Sequence, residues 1–120
     1  MFDFERFIIA AKLAYRRCGS SVYSFEEVLQ VFQYYFETYE LIFGEAHPMI
    51  SIDQIARIIE KMPFALNAAE FSSRTIDITP DDYRVMIDQH FITNYRCCDY
   101  NINHFFSGRI REMRYFETLY

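Results

Sequence analysis

Residues 24–44 read SFEEVLQVFQYYFETYELIFG, and they predict the central helix of the fold. Ser24 followed three residues later by Glu27 forms a capping box, in which each residue can satisfy the main-chain N–H of the other. Gly44 can end the helix in the left-handed conformation that glycine adopts without strain. The segment therefore predicts a helix over residues 25–43.

The two faces of this helix differ in chemistry. Eight apolar residues recur at helical spacing and predict a buried stripe: Phe25, Val28, Leu29, Phe32, Tyr35, Phe36, Tyr39 and Phe43. The opposite face carries an acidic ridge, which we define as Glu26, Gln30, Gln33, Glu37 and Glu40. Because these residues are three or four apart, neighbouring members lie about 5–6 Å from one another.

The acidic ridge lies in a segment without cations. No lysine or arginine stands between Arg17 and Arg57, whereas the whole chain has 12 basic and 17 acidic residues. Exposed helices usually alternate charges and gain a few tenths of a kcal/mol per pair, so this departure needs an explanation. We consider two: the ridge binds a basic partner, or it is an ordinary face that solvent or the arginines Arg109 and Arg111 neutralise.

The binding interpretation assigns the partner-contacting residues. Carboxylates on a rigid helix, flanked by tyrosines, can occupy a groove lined by lysine and arginine that otherwise holds a nucleic-acid backbone. The predicted partner-binding residues are Glu26, Glu27, Gln30, Gln33, Tyr34, Glu37, Tyr39 and Glu40.

The remaining segments predict further helices around this one. Capping residues and apolar spacing predict helices over residues 3–18, 51–62 and 79–93, a short helix after Asp99, and a final helix over residues 109–117. Most of these helices start at an aspartate, serine or threonine, and they end near glycine or proline.

Two stretches between the helices are harder to assign. Residues 64–71 predict a short extra turn, and residues 75–79 alternate like a strand but are treated as an extended connector because a lone strand is weak. The prediction is an all-α protein, a compact single-domain bundle of five to six helices with little or no sheet, over residues 1–120.

Composition limits the class of protein. An apolar fraction of 52% excludes a disordered chain, and no apolar run approaches the roughly 20 residues that a membrane span needs. An acidic N-terminal segment and an odd number of cysteines without framework spacing favour a cytoplasmic protein. The ten tyrosines suit either a contact surface or the rim of a small core.

Catalytic and metal chemistry finds little support in the sequence. The candidate metal ligands include two adjacent cysteines, which do not suit a tetrahedral zinc site: His90, Cys97, Cys98, Asp99 and His104. No glycine-rich phosphate loop is present, and the paired carboxylates stand at helix starts, where the helix dipole explains them. We expect no enzyme activity, no metal and no cofactor.

The leading alternative is a small helical DNA-binding or transcription-regulatory module. Its basic patch would form if the two ends of the chain converge, and its residues would be Arg16, Arg17, Arg109, Arg111 and Arg114. Separation of an acidic centre from basic ends also permits a homo-oligomer.

A resemblance supports the binding interpretation. Residues 98–111, CDYNINHFFSGRIR, resemble a segment of small uncharacterised proteins from phages and mobile elements. The chain as a whole, being short, acidic and aromatic, resembles anti-CRISPR proteins in profile. This resemblance implies a non-enzymatic inhibitor that blocks the nucleic-acid channel or the PAM-reading arginines of a CRISPR effector nuclease.

Overall fold

The protein is an α-helical domain with one short β-hairpin. The computed structural model describes residues 1–18, 22–62, 65–67, 75–92 and 99–106. In chain order the elements are α1 Phe4–Arg17, α2 Phe25–Phe43, α3 Ile52–Lys61, β1 Ala65–Asn67, β2 Thr75–Asp77, α4 Pro80–Ile92 and α5 Ile102–Phe105. The predicted all-α class with little sheet is confirmed, with five helices among the described residues. The predicted helix over residues 109–117 lies outside them.

Capping residues fix where the helices begin. At the start of α2, the Ser24 hydroxyl accepts the N–H of Glu27 at 3.2 Å, and the Glu27 carboxylate accepts the N–H of Ser24 at 2.9 Å. The same reciprocal pairing starts the two following long helices, through Ser51 with Gln54 and Thr79 with Asp82. The helix α2 ends at Gly44, whose φ of 73° is left-handed. These local signals confirm the predicted starts of α2 and α4.

The long helices pack as neighbours in the spatial order α3, α1, α2, α4. Residues from all four form one hydrophobic core, which the short helix α5 also enters. The apolar face of α4 is buried, and it comprises Tyr83, Met86, Ile87, His90 and Phe91. Because α2 lies between α1 and α4, its buried arc is wide, and it includes Val31, which the sequence pattern did not predict. Phe43 was predicted to be buried, and this is wrong: its exposed fraction is 43% at the end of the helix.

A two-stranded hairpin joins α3 to α4. Strands β1 and β2 are antiparallel, with Leu66 opposite Ile76. The predicted extra turn over residues 64–71 is therefore wrong for residues 65–67, and the predicted connector at residues 75–77 is a paired strand. Strand β1 has only three residues and no clear strand pattern, so the sequence gave no indication of this pairing.

Tyrosine hydroxyls anchor the connecting segments to the helices. Several donate to main-chain carbonyl oxygens: Tyr15 to Tyr23 at 2.7 Å, Tyr35 to Tyr100 at 2.7 Å, and Tyr23 and Tyr83 to Met62 at 3.2 and 2.9 Å. A buried carbonyl without a donor costs free energy, so these bonds stabilise the ends of elements that cannot pair otherwise. The high tyrosine content is thus explained in part by the core.

Candidate functional site: the acidic ridge of helix α2

The acidic ridge lies along the solvent face of α2. Glu26, Gln30, Gln33 and Glu37 are exposed, and Glu40 is partly buried. From the first to the last of these residues the helix rises about 21 Å, at 1.5 Å per residue. The Gln33 side chain donates to the Glu37 carboxylate at 2.9 Å, so two members of the ridge hold each other in place. The ridge is therefore a continuous polar surface.

Two adjacent carboxylates at the start of α2 differ in role: Glu26 belongs to the ridge, whereas Glu27 beside it is used by the fold. Glu27 was predicted to contact a partner, but its carboxylate closes the capping box with the N–H of Ser24. Glu26 is exposed in the first turn, where the positive end of the helix dipole stabilises a negative charge. Glu26 is thus the carboxylate that this end of the ridge presents to solvent.

One flank of the ridge is a cleft with aromatic walls. It has a volume of about 240 Å³, and its lining comprises Met1, Phe2, Phe4, Gln33, Phe36, Glu37 and Glu40. The rings of Phe2 and Phe36 stack with their centres 4.1 Å apart. The N-terminal ammonium lies 3.4 Å from the Glu40 carboxylate at the edge of this cleft. The flank combines apolar walls with carboxylates at the rim.

The other flank is a smaller cleft formed with α4. It has a volume of about 170 Å³ and is lined by Gln30, Gln33, Tyr34, Glu37 and Arg84. The guanidinium of Arg84 lies 5.0 Å from the centre of the Tyr34 ring, a cation–π distance. Gln33 and Glu37 line both clefts, so they form the crest between them.

Contacts with α4 hold the Tyr34 side chain in position. Its hydroxyl donates to the carboxylate of Asp88. Burial, followed by the hydrogen bond to Asp88, raises the pKa of the Tyr34 phenol above its usual value. The phenol is therefore neutral at physiological pH, and its ring is an ordered apolar edge of the ridge.

Tyr39 was predicted to be part of the binding surface, but the structure places it elsewhere on the helix. Its ring contacts Phe43, His47 and Phe91, with ring centres 4.7, 4.8 and 6.3 Å away. Burial raises the pKa of its phenol, and the carboxylates of Glu45 and Asp99 add to the effect. Tyr39 lies at the edge of the core. Of the predicted set, the structure groups Glu26, Gln30, Gln33, Tyr34, Glu37 and Glu40 on one surface.

Arg84 is a cation near the ridge that the sequence analysis missed. It lies on α4, and nothing in the sequence shows that α4 packs beside α2. Among the residues that the structure describes, no side-chain cation forms an ion pair with a ridge carboxylate; the ammonium at Glu40 is the pair that the ridge makes. The ridge therefore has cations at its edges, and the carboxylates of Glu26 and Glu37 form no ion pair with a residue that the structure describes.

The residues of the alternative basic patch are only partly described. Arg16 and Arg17 are exposed at the end of α1, and the Arg17 guanidinium pairs with the Asp53 carboxylate. This pair neutralises one acidic residue of the cation-free interval. Arg109, Arg111 and Arg114 lie outside the described residues, so their convergence with α1 stays a prediction. The same holds for neutralisation of the ridge by Arg109 or Arg111.

Metal and thiol chemistry adds no second site to the described part of the chain. No group of three histidine, cysteine, aspartate or glutamate side chains is placed there to hold a metal ion, and Cys97 and Cys98 lie outside it. The Cys18 thiol donates to the Ala56 carbonyl at 3.4 Å, and burial raises its pKa, which makes it a poor nucleophile. None of the described helices is long and apolar enough to cross a membrane.

A buried histidine outside the predicted site joins two parts of the fold. His47 is 2% exposed, and its Nδ1–H donates to the Pro48 carbonyl at 2.7 Å while its Nε2 accepts the N–H of Ile102 at 3.0 Å. Burial lowers the pKa of this imidazole. The sequence gave no signal for this role, because His47 lies in a loop and its acceptor bond spans 55 residues.

Comparisons with known proteins do not extend these observations. No protein-family model, curated protein or solved structure matches the chain. Function is therefore argued from the geometry and charge of the described residues.

Proposed function

We propose that this protein is a non-enzymatic inhibitor of the phage or mobile-element type, which binds a basic nucleic-acid-handling protein through the acidic ridge. The observation that carries the proposal is the exposed crest of Gln33 and Glu37 between two clefts, with free carboxylates along the helix. A CRISPR effector nuclease is the partner class that the anti-CRISPR resemblance implies.

The geometry suits a competitor for a nucleic-acid groove. A groove that binds a phosphate backbone is lined by lysine and arginine, and a row of carboxylates on a rigid helix presents the same sign of charge. Charge complementarity of this kind speeds association and fixes orientation more than it adds affinity. Binding strength must then come from buried contacts at the centre of the surface.

The aromatic cleft supplies such a contact. Its walls include Phe2, Phe4 and Phe36, and its rim carries Glu37 and Glu40. An arginine side chain from the partner can lay its aliphatic stem against the rings and place its guanidinium at the carboxylates. Arginine is one of the residues that most often dominate binding energy at interfaces. The cleft therefore favours a partner with a protruding arginine.

The ordered Tyr34 edge reduces the cost of binding. Its ring lies under the Arg84 guanidinium, and its hydroxyl is bonded to Asp88 in the free protein. Immobilising a flexible side chain costs roughly 0.5–1.5 kcal/mol on association. A side chain that is already ordered avoids most of that cost.

The decisive experiment is charge reversal on the crest. The double variant Glu37→Lys with Glu40→Lys is compared with Glu5→Lys with Glu60→Lys, which changes the net charge equally at exposed positions outside the ridge. Cleavage by a panel of CRISPR effector nucleases, with and without the protein, gives the readout. We expect the crest variant to lose inhibition by at least about tenfold in concentration and the control to keep it. Equal inhibition by both variants, each verified as folded, would remove the ridge from the mechanism.

The alternative function is the small helical DNA-binding module. Arg16 is exposed and makes no ion pair among the described residues, which leaves it available to phosphate. The test mixes the protein with labelled duplex and single-stranded DNA at low salt. The inhibitor proposal expects no shift in mobility, whereas a shift that disappears with added salt and with Arg16→Glu would favour the DNA-binding function.

A further inference from the structure

Helix α1 carries a second apolar stripe that faces away from the core. Ile9 and Leu13 lie one turn apart, with exposed fractions of 66% and 48%. Together with Met49, which is 37% exposed, they line a groove of about 350 Å³ between α1 and the start of α3. Since the opposite face of α1 already fills its place in the core, this stripe has no role in the fold of the described residues. We call it the α1 groove.

Cations surround the α1 groove. Arg6 lines it directly, and Lys12 and Arg16 are exposed three residues after Ile9 and Leu13 respectively, on the same side of the helix. None of these three side chains forms an ion pair with another described residue. Glu5, one turn before Ile9, is an exposed carboxylate on the same side, so the three cations leave the rim with a net positive charge. The groove therefore favours an occupant that is apolar with negative charges around it.

The same chain presents a surface of that composition at the end of α2. Leu41, Ile42 and Phe43 have exposed fractions of 84%, 48% and 43%. Glu45 follows them as an exposed carboxylate, whereas Glu40, which precedes them, is partly buried and pairs with the N-terminal ammonium. We call this surface the α2 end. Like the α1 groove it is apolar, and its charge is opposite to that of the groove rim.

A chain does not place its α2 end in its own groove. The α1 groove is formed with α3, whereas the Phe43 ring at the α2 end contacts Phe91 and Tyr100, with ring centres 6.3 and 5.5 Å away. The two surfaces belong to different helix pairs of the bundle. An α2 end that fills the groove must therefore come from a second copy.

We infer that the α1 groove binds the α2 end of a second copy of the chain. This contact joins two different surfaces, so each added copy leaves one groove and one end free. Such heterologous contacts close into a ring or extend into a chain. The inference does not depend on the proposed inhibitor function, because neither surface includes the crest residues Gln33 and Glu37.

Complementary variants test the contact directly. The groove variant is Ile9→Glu with Leu13→Glu, and the end variant is Leu41→Lys with Ile42→Lys. Wild-type protein should show a mass that rises with concentration in sedimentation velocity, and each variant alone should associate at least about tenfold more weakly. The two variants mixed in equal amounts should form a one-to-one heterodimer and nothing larger, because one intact groove and one intact end remain.

Control variants distinguish this contact from nonspecific association of exposed apolar side chains. Val85→Glu with Ile92→Glu removes two exposed apolar side chains on α4, 53% and 76% exposed, and should leave association unchanged. Circular dichroism checks that each variant is folded, and Ile9→Ser with Leu13→Ser replaces the groove variant if the glutamates disturb α1. The single ridge variant Glu37→Lys leaves the α2 end unchanged, so it should weaken nuclease inhibition without weakening self-association, and the two proposals fail separately.

Three results would overturn the inference. One is a wild-type protein that stays monomeric at every concentration. Another is a mixture of the groove and end variants that forms no heterodimer. The third is a monomeric protein that binds anionic phosphatidylserine vesicles through the groove, since the occupant would then be a lipid surface.

Discussion

Replacing the buried His47 with phenylalanine tests the joint between the loop after α2 and the helix α5. The imidazole donates through Nδ1 to Pro48 and accepts the N–H of Ile102 through Nε2. That N–H belongs to the first residue of α5 and has no partner within its own helix. A phenyl ring preserves the contacts with Phe36 and Tyr39, whose ring centres lie 4.9 and 4.8 Å away, but it removes both hydrogen bonds.

The expected loss follows from the buried N–H. Leaving a buried donor without an acceptor costs about 1–3 kcal/mol, and a typical neutral hydrogen bond contributes about 0.5–1.5 kcal/mol net. The extra apolar surface of phenylalanine offsets part of the loss of the Pro48 bond. We therefore expect His47→Phe to lower the free energy of unfolding by about 1–3 kcal/mol at neutral pH.

Low pH should reduce the difference in unfolding free energy between the wild-type protein and His47→Phe. Burial lowers the pKa of His47 from its usual 6.5, although the Pro48 carbonyl and the Asp99 carboxylate oppose the shift. Below pH 6.5 the unfolded chain binds a proton that the folded chain does not, so the wild-type protein loses stability as the pH falls through the folded pKa. The His47→Phe variant has no such group. The difference in stability between the two proteins should therefore shrink from about pH 7.5 to about pH 5.

Urea unfolding followed by circular dichroism at both pH values measures the effect. His47→Gln is the matched variant, because a glutamine oxygen can accept the N–H of Ile102 but does not titrate. It should lose less stability than His47→Phe at neutral pH, and its stability should lack the histidine contribution to pH dependence. The reasoning is refuted if His47→Phe equals the wild type at neutral pH, or if all three proteins lose stability equally in acid.

Two further substitutions test the local structure by the same unfolding measurement. Gly44→Ala should destabilise the protein by about 1–2 kcal/mol, because a Cβ strains the backbone at the Gly44 φ of 73°. The added Cβ meets no atom within 4 Å, so backbone strain is the cause. An unchanged stability would contradict the left-handed end of α2. Tyr83→Phe should cost about 0.5–1.5 kcal/mol, because the ring stays buried while the Met62 carbonyl loses a donor at 2.9 Å. The comparison is Tyr34→Phe, whose hydroxyl bond is at the surface and should matter less; an equal loss in the two variants would contradict the difference in burial.

The parts of the fold that could be predicted from the sequence depend on local interactions. The start of α2 follows from Ser24 and Glu27, which bond each other within one turn of helix. The inward face of α4 follows from the spacing of its own apolar residues. By contrast, the pairing of β1 with β2 joins residues such as Leu66 and Ile76, and no local pattern fixes such a partner.

Burial along α2 shows why the packing of the helices could not be predicted from the sequence. Spacing alone assigned Phe43 to the core and left Val31 out, and both assignments are wrong. The burial of a helix residue depends on which elements pack beside it as well as on its own face. Helix α2 has neighbours on two sides, but its last turn is only partly covered: the Phe43 ring contacts Phe91 of α4 and is still 43% exposed.

The candidate site also has one part that the sequence predicts and another part that depends on packing. The row from Glu26 to Glu40 required only the helix period, so the sequence predicted it. The two clefts required knowledge of packing, since Phe2 reaches one flank from the chain start and Arg84 reaches the other from α4. Tyr39 was assigned both to the buried stripe and to the partner-binding set, and the structure places its ring against His47 at the edge of the core.

The internal chemistry of the ridge favours a binding role over mere solvation. Within the helix, the Glu37 carboxylate accepts one hydrogen bond from the neutral amide of Gln33, which adds no positive charge. A lysine at position 33 would relieve the same charge and add an attractive pair worth about 0.3–0.5 kcal/mol. The amide orders the carboxylate, which forms no ion pair with any described residue, and Glu37 lines both clefts. The hydrogen bond from Gln33 itself contributes about 0.2–0.5 kcal/mol to helix stability, and the proposal that the ridge attracts a cationic partner adds a second reason for a carboxylate that is ordered but pairs with no described cation.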